Sequence, residues 1–273
     1  MRTYPKMLYF PQLTSGANVQ YPIRKMREGR TVVSCSPAGR TWKSLDSAYE
    51  TVEWDLTLKG LNASERSAIE TLFEATEGRL GEFTFLDPTD NLLLWSEDLT
   101  DTAWIKGPML TLTAGVTDPA GTLLATRIVN SGAAAQQMAQ SVAGPGSFRY
   151  CFSVYARSEA AATMTLYSTD GTNSAKTVAP VGTSWQRLIH SAQLSGTADS
   201  ITAGIELQAG VSVDVCGCQL DCQPGPSSYR KTTSRSGVYS NCRFSEDTLT
   251  VIAEGADNYS CSFGLVARMA EAS

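Results

Sequence analysis

The run Gly81-Glu82-Phe83-Thr84-Phe85-Leu86-Asp87-Pro88-Thr89-Asp90, followed at once by Asn91-Leu92-Leu93-Leu94-Trp95, decides how this chain is organised. Phe83 and Phe85 alternate as a strand does, and Asp87-Pro88 ends it, because proline has no N–H to give to a ladder. From Asn91 the texture changes: Thr, Ser, Val and Ala crowd the sequence, long charged runs are absent and only short strand-like segments recur. Around Ser236 to Phe244 the first texture resumes. A module inserted into a surface turn of a host fold accounts for both changes, since such turns accept large insertions when their backbone ends lie close together. The expectation is a discontinuous domain of residues 1–90 and 233–273, with a second domain at 91–232.

Working back from this run, Asn62 followed by Glu65 has the spacing of a reciprocal helix cap. Ile69, Leu72, Phe73 and Thr76 then recur at helical spacing, and Gly78 offers a left-handed stop. One amphipathic helix over Ala63 to Glu77 is predicted. Before it, Val52, Trp54, Leu56 and Leu58 alternate as one side of a half-buried strand. Strand, helix and strand in this order point to a β-sandwich or barrel carrying one helix.

Working forward, the pattern is strands only. Phe148, Tyr150, Phe152 and Val154 share a face, and further strands are predicted at Leu124 to Val129, Met164 to Tyr167, Trp185 to Ile189, Ile205 to Leu207 and Val211 to Val215. Gly144-Pro145-Gly146, Asp170-Gly171-Thr172-Asn173, Gly182-Thr183 and Ala209-Gly210 supply the turns. Short strands at such intervals indicate an antiparallel jelly-roll sandwich. After Pro224-Gly225-Pro226, strands at Cys242 to Phe244, Thr248 to Ile252 and Tyr259 to Val266 are too few for a domain of their own and are expected to return to the first sheet. The whole is mainly β.

The chain has 273 residues, room for two ordinary domains. With 22 basic and 27 acidic residues the net charge is -5, which argues against binding to nucleic acid, where a basic surplus must neutralise phosphates. The basic spot Ile23-Arg24-Lys25-Met26-Arg27 reads as a solvated loop. The stretch before Pro11 is too short and too interrupted for a secretion signal, and nothing approaches the ~20 apolar residues of a membrane span, so synthesis in a cytoplasm is expected. Seven cysteines, an odd number, suit that reducing compartment. Cys216, Cys218 and Cys222 lack the paired spacing of a zinc site and the lone histidine, His190, lies in another strand; Cys216 and Cys218 read instead as core thiols sharing a strand face.

The segment from Trp54 to Asp90, with Leu61-Asn62-Ala63-Ser64-Glu65, the helix, Gly78 and Phe83-Thr84-Phe85-Leu86-Asp87-Pro88, resembles phage distal tail and minor tail proteins of the baseplate hub. Arg2 to Tyr21, with Tyr9-Phe10-Pro11 and Val19-Gln20-Tyr21-Pro22, looks like their opening strands. The insert, with Asn91-Leu92-Leu93-Leu94-Trp95-Ser96-Glu97-Asp98-Leu99, Ala103-Trp104, Ser153-Val154-Tyr155-Ala156-Arg157, Trp185-Gln186-Arg187-Leu188, Gln219-Leu220 and Pro226-Ser227-Ser228-Tyr229, is similar to carbohydrate-binding-like jelly rolls of phage tail and fibre proteins, departing from many of them in its three late cysteines. The resemblance implies a structural ring at the tip of a virion tail. Its homo-oligomer, a hexamer in the family, would join the tail tube to other baseplate and hub proteins, with the jelly roll at the perimeter facing fibres or a host glycan. Lone glycan-binding adhesins and polysaccharide hydrolases are the competing classes.

No catalytic, cofactor or metal site is expected. Asp87 with Asp90, and Glu97 with Asp98, are the carboxylate pairs a hydrolase would need, but adjacent carboxylates on a strand point apart, and turn capping fits them better. His190 has no nucleophile elbow near it and reads as a satisfied histidine. Gly144-Pro145-Gly146 lacks the lysine and helix of a phosphate loop. Among aromatics that could stack on a sugar, Trp95 and Trp104 read as plugs closing the sandwich. The candidate glycan contacts are Trp185, Tyr155 and Tyr167.

Overall fold

The computed structural model describes residues 7–269. In chain order the elements are β1 (Arg24–Cys35), β2 (Thr41–Leu61), α1 (Ala63–Ala75), β3 (Phe83–Leu86), β4 (Ile105–Lys106), β5 (Leu110–Val116), β6 (Ala125–Asn130), β7 (Gln136–Ala143) and β8 (Arg149–Arg157). There follow β9 (Ala162–Thr169), β10 (Ser174–Val181), β11 (Gln186–Gln193), β12 (Ser200–Leu207), β13 (Ser212–Asp221), β14 (Val238–Phe244), β15 (Thr250–Gly255) and β16 (Asn258–Arg268). Of the described residues, 7–14, 19–85 and 239–269 form one compact unit, and 15–18 with 86–238 the other.

The first unit is one sheet in the order β1-β2-β16-β14-β3, with β15 also paired to β16. β16 runs antiparallel to β2, matching Leu265 with Trp54 and Phe263 with Leu56. Residues near the C-terminus thus complete a sheet begun near the N-terminus. Val52, Trp54, Leu56 and Leu58 are buried as their alternation requires, and Trp54 meets Phe85 and Tyr239 edge-on at centroid distances of 5.1 and 4.7 Å. Such aromatic pairs add about 0.5–1.5 kcal/mol to the burial of their area.

Helix α1 begins where its cap was expected. Glu65 N–H donates to Asn62 Oδ1 at 2.9 Å and Asn62 N–H to Glu65 Oε2 at 3.0 Å, so two otherwise orphaned amides are satisfied. Ile69 and Leu72 turn inward and Phe73 meets Phe244 edge-on. The helix closes at Thr76, slightly before the predicted Glu77, because Gly78 at φ +67° sends its N–H back to the Phe73 carbonyl.

Three expectations for this unit change. Arg24 to Arg27 do not form a loop but open β1, the last strand of the sheet, with Arg24 and Arg27 exposed and Lys25 and Met26 half-buried. Tyr9 lies in an isolated bridge to Thr84 rather than in a strand, and Val19 to Tyr21 are not in a strand. Residues 2–6 of that expected opening segment lie outside the described residues. Finally, β2 starts ten residues before the predicted Thr51 and pairs with β1 over Arg30–Cys35 and Thr41–Asp46, a two-stranded ribbon beyond the part of β2 that meets β16.

The second unit is two five-stranded antiparallel sheets, β10-β9-β12-β7-β4 and β11-β8-β13-β6-β5. From β6 to β13 the chain changes sheet at every step except β9 to β10, the winding of an eight-strand jelly roll. Tyr150, Phe152, Val154 and Ala156 of β8 and Val213 and Val215 of β13 face Met164, Leu166, Ile201 and Ile205 across one core. The chain enters and leaves side by side: Asp87 N–H donates to Gly237 O, and Gly237 N–H to Asn91 O, each at 2.8 Å. Buried Asn91 ties this corner to β13, its amide donating to Cys218 O at 2.9 Å while its Oδ1 accepts Leu220 N–H at 3.1 Å. Against the expected boundaries 91 and 232, the unit is wider by a few residues at each end because these bonds belong to it.

Candidate functional site

The outward face of β11-β8-β13-β6-β5 carries the charged and aromatic side chains that the core excludes. Odd-numbered residues of β8 lie there, and the register sets Tyr155 beside Arg187 of β11 and Arg157 beside Asp214 of β13. Asp214 is buried and receives Arg127 Nε at 2.8 Å and Arg157 Nε at 3.1 Å. Burial opposes its charge, but the two guanidinium hydrogen bonds outweigh that and hold its carboxyl below the usual range. Arg157 in turn stacks on Trp185 at 4.9 Å, and Arg187 on Tyr155 at 5.5 Å.

A bulge in β13 shapes the neighbouring surface. Register shifts between Cys216 and Gln219, and Gly217 sits at φ +62° with the rings of Tyr155 and Tyr229 on either side of where a Cβ would project. This corrects the expectation that Cys216 and Cys218 share a core face. The extra residue reverses the alternation, so Cys218 joins the core while Cys216 lines a surface cleft. Burial, with Asp118 and Glu97 nearby, pushes the Cys216 thiol up to about 12, which favours the thiol over the thiolate.

That cleft, of about 470 Å³, is bounded by Tyr155, Tyr229, Gly217, Leu124, Asp118 and Glu97 among others. A second, of about 400 Å³, is bounded by Trp95, Asp98, Leu123, Lys231 and again Glu97 and Leu124. Glu97 and Leu124 border both, so the two clefts adjoin along one groove, and each volume falls in the ordinary range for small-ligand sites, ~300–1,000 Å³. Glu97 stands at the junction, receiving the Tyr229 hydroxyl at 3.2 Å on Oε1 with Lys231 Nζ 2.5 Å from Oε2.

Trp95 takes a left-handed φ of 48°, a conformation costing a bulky residue about 1–3 kcal/mol. Its backbone is pinned from both sides: Trp95 N–H donates to Thr233 O at 2.9 Å, and Trp104 Nε1–H donates to Trp95 O at 3.1 Å. Trp104 fills the core as expected of a plug. Trp95 does not; it remains half-buried and borders the groove, because the turn at Asn91 to Glu97 is not a strand and does not point it inward.

The three expected glycan contacts are separated by the fold. Tyr155 lines the groove; Trp185 lies on the same sheet face but borders neither cleft; Tyr167 belongs to β9 of the other sheet and is buried, its phenol pushed up to about 12 by burial. Tyr229, Leu124, Glu97 and Asp118 were not singled out together because they sit in three loops far apart in sequence. The turn signature Asp118-Pro119-Ala120-Gly121-Thr122 was the available signal: Asp118 Oδ1 accepts Ala120 and Thr122 N–H at 2.8 and 2.9 Å.

The remaining chemistry candidates are tied into local structure. Asp87 and Asp98 cap their own turns through Thr89 and Thr100. Glu97 does not cap a turn as expected but makes the pair with Lys231 and Tyr229. His190 is buried between Ser168 Oγ at 3.0 Å and Thr177 Oγ1 at 2.8 Å, and desolvation lowers its pKa. Among the described residues no group of three or more His, Cys, Asp or Glu could hold a metal ion, and no helix is long and apolar enough to cross a membrane.

No protein-family model matches the sequence, and a search of curated proteins gives no match. Solved structures similar to part of the chain include the enzymatically active domain of tailspike protein 4 of bacteriophage CBA120, at 12% identity over 50% of this chain with a TM-score of 0.38. This chain spans 22% of that one. TmCBM61 in complex with β-1,4-galactotriose is 14% identical over 48% of this chain and 97% of its own, with a TM-score of 0.38. The CBM22-1 xylan-binding domain from Paenibacillus barcinonensis Xyn10C is 12% identical over 51% and 96%, with a TM-score of 0.39. At these values the likenesses carry no argument about the residues of the groove.

Proposed function

We propose that this chain is a non-enzymatic structural protein of a phage tail tip or baseplate. It self-associates into a ring joining the tail tube to the tip and holds its jelly roll toward fibres or a host-surface glycan. The resemblance of residues 1–90 and 236–268 to tail-hub proteins supplies the setting. The observation that carries the reading is the bare end of the β1–β2 ribbon.

Over Arg30–Cys35 and Thr41–Asp46 this ribbon pairs only with itself among the described residues: β1 is the last strand of its sheet, and β2 meets β16 only from Thr51 onward. Alternation puts Val32 and Trp42 on one face and Val33 and Leu45 on the other, with exposures of 41%, 56%, 53% and 70%. An isolated two-stranded ribbon is marginal in water, and one apolar on both faces with open edges invites pairing. Contact with a second copy of the chain, repeated head to tail, covers it and closes a ring.

Mass photometry of the full chain at micromolar concentration tests this. Discrete ring-sized particles are expected. Trp42→Glu with Leu45→Glu is expected to leave monomers with an unchanged far-ultraviolet circular dichroism spectrum. A wild-type protein that stays monomeric, or rings that survive the double substitution, would overturn the reading. A monomer that still binds glycan would favour the free-standing adhesin instead, and turnover of a polysaccharide would favour a hydrolase.

A further inference from the structure

The groove on residues 86–238 combines features that select a ligand class. Its two clefts meet at Glu97 and Leu124, with an aromatic wall in each, Tyr155 in one and Trp95 in the other. Aromatic faces offer a flat apolar surface to the C–H face of a pyranose ring, while the bulge at Gly217 removes the side chain that would stand between Tyr155 and Tyr229. The Tyr155 ring is already backed by the Arg187 guanidinium, which fixes its plane.

The carboxylates of the groove have their lone pairs partly engaged, and among them Glu97 is the one set against a cation in the described lining. Asp118 is engaged by Thr122 and Ala120, Asp98 by Thr100, and Glu97 by Lys231 and Tyr229. Among the described residues Lys231 is the one cation bordering either cleft, and it already faces Glu97, so a polyanion meets carboxylates there rather than a basic patch. Their remaining lone pairs suit neutral O–H donors.

We propose that this groove binds a short stretch of neutral oligosaccharide, with Tyr155 and Trp95 as its aromatic walls and Glu97 accepting from a sugar hydroxyl between them. The inference deepens the outward-facing role given to the jelly roll and rests on that part of the proposed function.

Isothermal titration of the full chain tests it, with cellotriose, galactotriose, a fucosylated trisaccharide and chitotriose as neutral probes, trigalacturonate as the anionic probe and trilysine as the basic peptide. Saturable binding of at least one neutral probe is expected, with neither charged probe bound. Tyr155→Ala is expected to weaken that binding at least tenfold. Leu124→Arg, a change at an exposed position that fills the groove without disturbing the core, should do the same, whereas Trp185→Ala should change it less than twofold. Absence of binding by every neutral probe, preference for trigalacturonate or trilysine, or indifference to both groove substitutions would overturn the proposal. Mass photometry of the same samples separates the two readings: rings without sugar binding defeat only the groove, and sugar-binding monomers defeat only the ring.

Discussion

Strand β2 passes through two different environments within a single element. From Val52 to Leu58 its inward side chains are completely enclosed, with Trp54 and Val52 at 0% exposure, while Trp42 and Leu45 on the same strand stand at 56% and 70%. The backbone pairing with β1 continues through both halves, so hydrogen bonding to β1 does not distinguish them. What differs is what surrounds the strand: Val52 to Leu58 has β16 along its other edge and Phe85, Tyr239 and the inward face of α1 in the same core, whereas Thr41 to Asp46 has β1 alone among the described residues. A strand's apolar residues therefore identify a core only where a second layer exists to receive them. Where none is present among the described residues, as at Trp42 and Leu45, the same residues are left exposed, and the proposed ring contact would cover them.

This contrast is broken most directly by truncating one tryptophan in each half. Trp54→Ala is expected to destabilise the first unit by about 3–5 kcal/mol, read as a lowered urea midpoint, because a large enclosed side chain leaves a cavity. An effect below about 1 kcal/mol would mean that the aromatic cluster does not hold the sheet.

Charge sharpens the comparison at an intermediate scale. Asp214 is 3% exposed between two arginines, whereas Asp46 on the ribbon pairs with Arg30, itself 54% exposed. Asp214→Asn should cost about 1–2 kcal/mol at pH 7, discounted because both arginines are about one-third exposed and can rehydrate, while Asp46→Asn should cost under about 0.5 kcal/mol. Since the folded pKa of Asp214 lies below its unfolded value, its contribution is complete above the unfolded pKa of about 3.9 and is lost as pH falls through the folded pKa. Denaturation curves of wild type and Asp214→Asn should converge on acidification; a gap that widened would contradict the pairing. The smallest effect is expected from Trp42→Ala, within about 0.5 kcal/mol of wild type in urea melts of the monomer, yet visible in particle size. A large loss of monomer stability would show that the ribbon is packed after all.

The legible parts of the sequence were those where local chemistry and long-range packing agree. Asn62 and Glu65 announce a helix by themselves, and the inner face of β2 repeats regularly enough to read. The ribbon was hidden because Arg24 to Arg30 carry too little apolar contrast and because its apolar residues alternate between two faces, leaving no single buried side to detect. Strand β7, with Gln136, Gln137, Ala139, Gln140 and Ser141, is equally quiet, since its identity comes from the neighbouring β12 and β4. The groove was only partly visible. Tyr155 follows from the outward positions of β8, but the bulge at Gly217 reverses alternation midway through β13, and no pattern of period two contains such a reversal.

The adjoining backbone ends of the jelly roll carry a last consequence. With Asp87 bonded to Gly237 and Gly237 to Asn91, the stretch between them behaves as a cassette with a clasped neck. Recombination that exchanged everything inside the clasp would leave its two donor–acceptor pairs to be remade by whatever replaced it, since both are backbone bonds indifferent to side-chain identity. The neck therefore places no demand on the sequence of the lobe it closes beyond two backbone hydrogen bonds.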